Sequence, residues 1–317
     1  MTTSKPTGPA ALVLTASVAR RYYVDRVSKS DIAAELGLSR FKVARLLDHA
    51  HASGLVRIEL DYRGEIDLDR SVRVRDAFGL RNCVVIDSPD DDDTLLRTNL
   101  GRAAAGLLDE ITEADDVLGL AWARSLMAMQ ASLTRLAPCP VVQMTGALSR
   151  PDVDASSIEL VREVARVSKG PAFYFYSPMI LPDAATANAM RRQPEVSQAI
   201  AMFPKLTKAV IAVGAWEKGL STVADAISEE EWREMQELGV RAEMGGIQID
   251  EQGTPVTTSI TARMIAIDAP QLKAVPEVIA IAYGAAKAPA LHAAILGGFV
   301  TSLVTHATMA DEVLARR

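Results

Sequence analysis

The sequence predicts an α/β protein in two parts: a small helical domain over residues 1–62 and a large, doubly wound α/β domain over residues 63–317. Three observations lead to this prediction. Residues 14–50 show helix-like apolar spacing interrupted by one Gly turn, whereas the later chain alternates short apolar runs with helix-like segments. The charge balance also changes near residue 62. A chain of 317 residues has room for two domains, one of which can hold a substantial core.

The composition excludes a disordered chain and gives no sign of a cofactor or metal site. Hydrophobic residues make up 49% and charged residues 23%, which is close to globular averages. Cys83 and Cys139 lie far apart, and neither has a nearby His or second Cys at a metal-ligand spacing, so we expect two buried or half-buried thiols. The N-terminus lacks the pattern of a secretory signal, and no apolar run reaches the roughly 18 residues of a membrane span. A soluble cytoplasmic protein is expected.

The net charge of −6 conceals an uneven distribution of charge along the chain. Residues 1–62 contain nine Lys and Arg against six Asp and Glu, and the other residues contain 25 against 34. Because phosphate neutralisation depends on local charge, a basic N-terminal domain on an acidic body suits a protein whose first domain meets DNA.

The N-terminal domain is predicted to be a helix-turn-helix with a following strand. Residues 14–27 read as an amphipathic helix, and residues 30–36 as a second one with Ser30 as its N-cap. Gly37 supplies the turn, and Ser39 caps a third helix running to about residue 50. The alternation in residues 56–60 is typical of a half-buried strand, as in a winged arrangement.

The third helix has two distinct faces. Its apolar stripe, Val43, Leu46, Leu47 and Ala50, is expected to be buried, which leaves basic side chains outside. Since a major groove admits one α-helix and Arg and Lys donate to guanine or phosphate, we interpret this as a recognition helix. The candidate DNA-binding residues are Ser39, Arg40, Lys42 and Arg45. The alternative is a helical hairpin of a larger core, with Arg and Lys as a solvated face.

The second domain is predicted to contain a largely parallel sheet covered by helices. Strand-like runs occupy residues 83–86, 117–120, 141–144, 172–176, 209–213, 278–282 and 299–304. Helix-like segments occupy residues 94–108, 125–136, 156–167, 229–238 and 289–296. The acidic run at residues 90–93 lacks the Ca²⁺-loop spacing and reads as a solvated loop.

Ligands of open α/β sheets bind beyond the carboxyl ends of the strands, and four loops there carry polar or small residues. The candidate ligand-binding residues are Gly119, Trp122, Arg124, Ser125, Gln143, Gly146, Glu243, Gly284 and Lys287. The first loop, at the start of a helix, could hold a phosphate or polyol. Trp122 is either an apolar face for a sugar ring or a core residue, and the loop at Gly146 is either a ligand contact or a plain turn. Glu243 and Lys287 could bind a sugar or perform acid–base chemistry.

The chain resembles the SorC family of sugar-responsive transcriptional regulators over nearly its whole length. Residues 30–47 resemble the helix-turn-helix of that family, and residues 118–125 are similar to its strand-loop-helix with the pattern Gly-x-x-Trp-Gly-x-Thr. Further similar segments are residues 142–146, 177–182, 213–214, 282–287, 298–305 and 309–310. Three departures are visible: Ala123 and Ala147 replace glycines, and residues 242–250 lack the aromatic residues of the family's block.

The resemblance implies an effector domain akin to phosphosugar isomerases that binds without turnover, and dimers or tetramers on operator DNA. It implies an effector site containing Trp122, Arg124, Ser125, Gly146, Glu243 and Lys287. A DNA-binding regulator controlled by a sugar, sugar phosphate or polyol is therefore expected, and not an enzyme. The competing function is an isomerase-like or lactonase-like enzyme with Glu243 as base and Lys287 as electrostatic helper; a protein-binding adaptor has no positive support.

Overall fold

The computed structural model describes residues 8–57, 65–88, 92–148 and 157–317. The chain forms two compact units, Met1–Arg63 and Gly64–Arg317.

The described part of the first unit contains three α-helices: α1 (Pro9–Tyr23), α2 (Lys29–Glu35) and α3 (Arg40–Ala52). Ser39 caps α3 as predicted, since its side chain accepts a hydrogen bond from the Lys42 N–H. The prediction of Ser30 as the cap of α2 is wrong. The helix begins one residue earlier, at Lys29, and the extended Ser28 accepts the hydrogen bond from the Asp31 N–H.

The predicted core of this unit is confirmed. Val43, Leu46, Leu47 and Ala50 of α3 are buried against Val18 of α1 and Ile32 of α2. Gly37 has a φ of +63°, the left-handed conformation that the predicted turn requires. The first helix ends at Tyr23 and not at residue 27, and Arg26 has a φ of +55° in the following turn. The predicted strand at residues 56–60 lies mostly outside the described residues.

The second unit alternates strands and helices. Its strands are β1 (Asn82–Ile86), β2 (Leu118–Leu120), β3 (Val141–Gln143), β4 (Ala172–Phe173), β5 (Lys208–Ile211), β6 (Gly214–Ala215), β7 (Ala242–Met244), β8 (Ile247–Ile249), β9 (Glu277–Ile281) and β10 (Ser302–His306). Its first helices are α4 (Leu68–Phe78), α5 (Asp93–Ile111), α6 (Arg124–Ser132), α7 (Ser157–Ser168), α8 (Ala184–Arg191) and α9 (Pro194–Ile200). The later ones are α10 (Thr222–Ala226), α11 (Glu229–Glu237), α12 (Ala269–Ala274), α13 (Ala288–Leu296) and α14 (Ala307–Leu314).

Seven strands form one parallel sheet in the order β1-β10-β9-β5-β2-β3-β4. Successive residues alternate between the two faces, because side chains of a strand have a period of two. Val210 and Ile279 pack with α5, α6 and α7, whereas Ile211 and Ala280 pack with α12, α13 and α14. The predicted parallel sheet between two helical layers is confirmed. No helix in the described ranges is long and apolar enough to cross a membrane.

A second, antiparallel sheet was not predicted. It consists of β6, β7 and β8, and Glu243 lies inside β7 and not in a loop after a strand. The expected strand at 172–176 ends at Phe173, and the last strand begins at Ser302 and not at residue 299. The acidic run at 90–93 is described only from Asp92, whose carboxylate caps α5.

A buried ion pair joins the amino-terminal ends of β2 and β5. Lys208 Nζ lies 2.6 Å from Asp116 Oδ2, and this carboxylate also accepts hydrogen bonds from Thr207 and from the Glu113 N–H. These donors outweigh the effect of burial, so the pKa of Asp116 lies below its ordinary value.

Lys208→Met is expected to destabilise the protein by about 3 kcal/mol, because it leaves a buried carboxylate without its cation while the other two donors remain. Thermal and denaturant unfolding measure this. The matched control is Arg135→Ala, which breaks an ion pair with Asp109 in which the arginine side chain is 83% exposed. Equal effects of the two substitutions would contradict the account.

Candidate functional site

A cavity of about 230 Å³ opens at the carboxyl ends of β2, β5 and β9. Here the order of the sheet reverses: from β2 the chain proceeds outward through β3 and β4, then returns to β5 on the other side of β2. Such a switch point is where open α/β sheets bind ligands. All of the lining residues belong to the second unit.

The cavity brings together six of the nine predicted ligand-binding residues. Those that line it are Trp122, Arg124, Ser125, Gly146, Glu243 and Lys287. They come from four separate segments, so the fold and not local sequence creates the cluster. Gly119, Gln143 and Gly284 are absent from its lining.

Each of these three residues has a structural partner instead. A Cβ at Gly119 would lie 2.5 Å from Met144 Sδ, so this glycine permits packing beneath the cavity. The buried Gln143 amide donates to Thr145 O at 2.8 Å and accepts from the Phe175 N–H at 3.1 Å. The Gly284 N–H donates to His306 Nε2 at 3.1 Å. These three residues therefore lie outside the lining, and the Gln143 side chain joins two loops beside the cavity.

Glu243 is a buried carboxyl group on the wall formed by β7. Its Oε1 accepts a hydrogen bond of 3.0 Å from Ser221 Oγ, and its Oε2 accepts one of 3.4 Å from the Gly246 N–H. Burial raises the pKa of Glu243 even though Ser221, Gly246 and the charge of Lys287 act in the opposite direction. The wall therefore presents a carboxyl group that takes up a proton more readily than usual.

Lys287 lies in the short 3-10 turn that precedes α13. Its Nζ lies 5.1 Å from the centre of the Tyr283 ring, and within the described ranges it makes no ion pair. Burial lowers the pKa of Lys287, and the positive charge of Arg124 lowers it further. The negative charges of Glu243 and Asp93 act in the opposite direction but do not outweigh burial. A half-buried ammonium group without an ion-pair partner is suited to bind an anionic or hydroxyl-rich ligand.

The amino-terminal turn of α6 forms another part of the wall. Its N-cap is Ala123, whose side chain provides no hydrogen-bond acceptor, and the next two residues, Arg124 and Ser125, face the cavity. The N–H groups of a first turn and the helix dipole favour an anion. Trp122 is half-buried in the lining, so it is neither a fully buried core residue nor a fully exposed ring face.

Gly146 allows two backbone segments to meet beside the cavity. A Cβ at this position would lie 2.6 Å from Pro178 O and 2.7 Å from the Met179 Cα, so no larger residue fits without moving the backbone. Ala123, which replaces a glycine of the family pattern, lies in the lining. Ala147 does not line the cavity, and its N–H instead donates to Ser177 O.

Sequence reasoning missed α10 and the residues just before it. Ser221 orients Glu243 and also caps α10, and Asp225 lies in the lining, where its Oδ1 accepts a 2.7 Å hydrogen bond from the Gly219 N–H. The one signal that could have found this segment is its position in the sequence, because it follows the strand-like run that became β5. Tyr283 also lines the cavity; it lies in the similar segment 282–287 but was not among the candidate residues.

No group of three His, Cys, Asp or Glu residues within the described ranges could hold a metal ion. Burial raises the pKa of Cys83 to about 12 and that of Cys139 to about 11, so both thiols stay protonated near neutral pH.

Glu243→Gln is expected to raise the melting temperature at neutral pH while weakening the site. A carboxyl group whose pKa is raised on folding contributes full stability below its ordinary pKa of 4.5 and loses it as pH rises through the folded value. The melting temperature of the variant should therefore increasingly exceed that of the wild type as pH rises, and the two should be equal in acid. Melting curves over a pH series measure this; Glu195→Gln on the exposed side of α9 controls for the loss of a charge. A constant difference at all pH values would contradict the prediction.

The parallel sheet with helices on both faces and a cavity at its switch point defines a ligand-binding domain. Residues 62–315 match the family model described as "Putative sugar-binding domain", and the chain belongs to this family. The resemblance to SorC-type regulators is thereby confirmed.

Similar proteins are transcriptional regulators by name. "Uncharacterized transcriptional regulator YjhU" of Escherichia coli is 29% identical over 303 residues, covering 93% of this chain and 92% of the relative. The "Deoxyribonucleoside regulator" of Bacillus subtilis is 24% identical, covering 92% of this chain and 94% of the relative. The full-length sorbitol operon regulator SorC of Klebsiella pneumoniae shares the fold with a TM-score of 0.74 and 21% identity, covering 96% of this chain and 99% of that one.

Proposed function

We propose that the protein is a DNA-binding transcriptional regulator whose operator affinity is controlled by a sugar, sugar phosphate or polyol bound in the cavity. The observation that carries this proposal is the cluster of Arg124, Glu243 and Lys287 around the cavity at the switch point, in a chain that also has an exposed basic helix.

The first unit is proposed to act as a helix-turn-helix, with α3 in the major groove. Arg40, Lys42 and Arg45 are exposed and make no ion pair within the described residues. Their charges are therefore available to guanine edges and phosphates, while the start of α3, capped by Ser39, favours a phosphate. The opposite face of α3 packs in the core, so only the exposed basic face is available to contact DNA.

The chemistry of the cavity favours a small polar ligand with hydroxyl groups and an anionic group. Lys287 and the start of α6 with Arg124 and Ser125 suit a phosphate or carboxylate. Glu243 can accept from hydroxyl groups, and Trp122 and Tyr283 offer apolar ring faces. A volume of about 230 Å³ lies below the range of roughly 300–1,000 Å³ for sites of drug-sized ligands, which favours a compact molecule.

The protein is proposed to act as a homodimer or homotetramer, because regulators of this architecture bind two half-sites related by the symmetry of the protein. An appended basic helix would have no use in a phosphosugar isomerase. We therefore propose that the cavity binds its ligand without turnover.

The proposal is tested with the purified full-length protein. Duplexes are selected from a random library, and their affinity is measured with and without a panel of free and phosphorylated sugars and polyols. Thermal shift identifies the ligand, and assays for isomerase and lactonase activity run in parallel. We expect a selected duplex whose affinity changes with one ligand class. If the protein binds no duplex selectively and turns over a sugar phosphate, the proposal is contradicted and the alternative function as an enzyme is supported.

A further inference from the structure

Phe41 is an exposed aromatic residue at the start of α3. It is the second residue of that helix, and 83% of its surface is exposed, the highest value among the large hydrophobic residues in the described ranges. Its ring makes no aromatic or cation–π contact within those ranges. Because burying a phenylalanine is favourable, a molecule that covers this ring gains binding free energy.

The surroundings of Phe41 are basic. Arg40 and Lys42 flank it, and Arg45 lies one turn later on the same face, since residues four apart on a helix are neighbours. All three are exposed, and α3 has no acidic residue before Asp48. A protein surface that covered Phe41 would have to accommodate three cations, whereas the phosphates of DNA neutralise them.

We propose that Phe41 reads a thymine in the major groove through its C5-methyl group. This inference rests on the proposed function of α3 and deepens it. Among base edges of the major groove, thymine alone presents a methyl group, and an apolar side chain on a recognition helix contacts it. Arg40 and Arg45 read guanine or phosphate, so Phe41 adds a specificity that cationic side chains do not supply.

The first measurement compares sequences selected from a random duplex library by the wild type and by Phe41→Ala. The wild type is expected to enrich thymine at one position in each half-site, and the variant is expected to lose that enrichment while it keeps the others. Phe41→Leu, which retains an apolar side chain, is expected to restore it in part. Val13→Ala is the matched control, because Val13 is 69% exposed on α1 and lies outside α3.

The second measurement replaces that thymine by deoxyuridine, which removes only the methyl group. The wild type should bind the deoxyuridine duplex about fourfold more weakly, which corresponds to the free energy of burying one carbon. Phe41→Ala should bind the two duplexes equally. Melting temperatures of the variants show that they remain folded, as expected for an exposed position.

Three results would overturn the inference. If the wild type selects a duplex but Phe41→Ala is as sensitive to uridine as the wild type, Phe41 does not contact the methyl group, although the protein remains a DNA-binding regulator. If Phe41→Ala instead changes the association state in sedimentation with no change in selected sequence, the residue belongs to a protein interface. If the wild type selects no duplex, the proposed function fails as well.

Discussion

Replacing Arg40 and Arg45 together by alanine is expected to weaken binding to a selected duplex by about 30-fold or more. Each arginine that contacts a base contributes roughly 1–3 kcal/mol, and the two side chains lie on the exposed face of α3. The helix itself should persist, because its core side chains and the Ser39 cap are untouched. Fluorescence anisotropy with the labelled duplex measures the loss, and the dependence of affinity on salt should decrease with it.

The control for this prediction is Arg233→Ala, which removes one exposed arginine of α11 in the second unit. It should leave the affinity for DNA unchanged. The double variant should keep its full thermal stabilisation by the sugar ligand, because the cavity lies wholly in the second unit. Loss of ligand stabilisation together with DNA binding would mean that Arg40 and Arg45 maintain the fold and do not read DNA.

Lys287→Met is expected to weaken ligand binding by about 10-fold to 150-fold, the equivalent of a charge-assisted hydrogen bond of roughly 1.5–3 kcal/mol. The substitution keeps an unbranched apolar side chain, one atom shorter than lysine, and removes its charge from the cavity. Isothermal titration with the ligand found in the thermal screen measures the change. Affinity for DNA in the absence of ligand should stay the same.

Lys205→Met is the matched control, because Lys205 is exposed and lies outside the cavity lining. It should bind the ligand as the wild type does. If Lys287→Met retains the wild-type affinity for every ligand that stabilises the protein, the assignment of the cavity as the effector site is wrong.

Glu243 and Lys287 together illustrate how the proposed binding site costs stability. Burial disfavours the charged form of both side chains, and no ion pair within the described ranges compensates either of them. We expect such groups at a site where a ligand interacts with them, because natural proteins give up stability at functional sites. The expected gain in melting temperature of Glu243→Gln and the loss of ligand binding by Lys287→Met follow from the same arrangement.

Most of the features that depend on residues close together in the chain were predicted from the sequence. Ser39 as a cap, the turn at Gly37 and the buried stripe of α3 depend on neighbours a few residues apart, and each was found. The parallel strands were predicted because strands buried on both faces read as short apolar runs. The cap of α2 was misplaced since Ser28 and Ser30 are both suitable residues, and only the backbone conformation chooses between them.

The contacts between distant segments could not be predicted. The hydrogen bond from Ser221 to Glu243 joins residues 22 positions apart, and β6, β7 and β8 are too short and too mixed in polarity for periodicity to reveal them. Gln143 was correctly placed at a strand end, yet its side chain turned toward the backbone of Thr145 and Phe175. Strand ends identified the region of the site, and the fold decided which side chains face the cavity.

The most direct test of a ligand-controlled regulator is the affinity for one selected duplex measured with and without saturating ligand. We expect the two dissociation constants to differ by at least about fivefold, which is the lower end of typical allosteric coupling. By linkage, saturating the protein with that duplex should change the affinity for the ligand by the same factor. Identical dissociation constants in the two conditions, for a ligand proven to bind the cavity, would contradict the account.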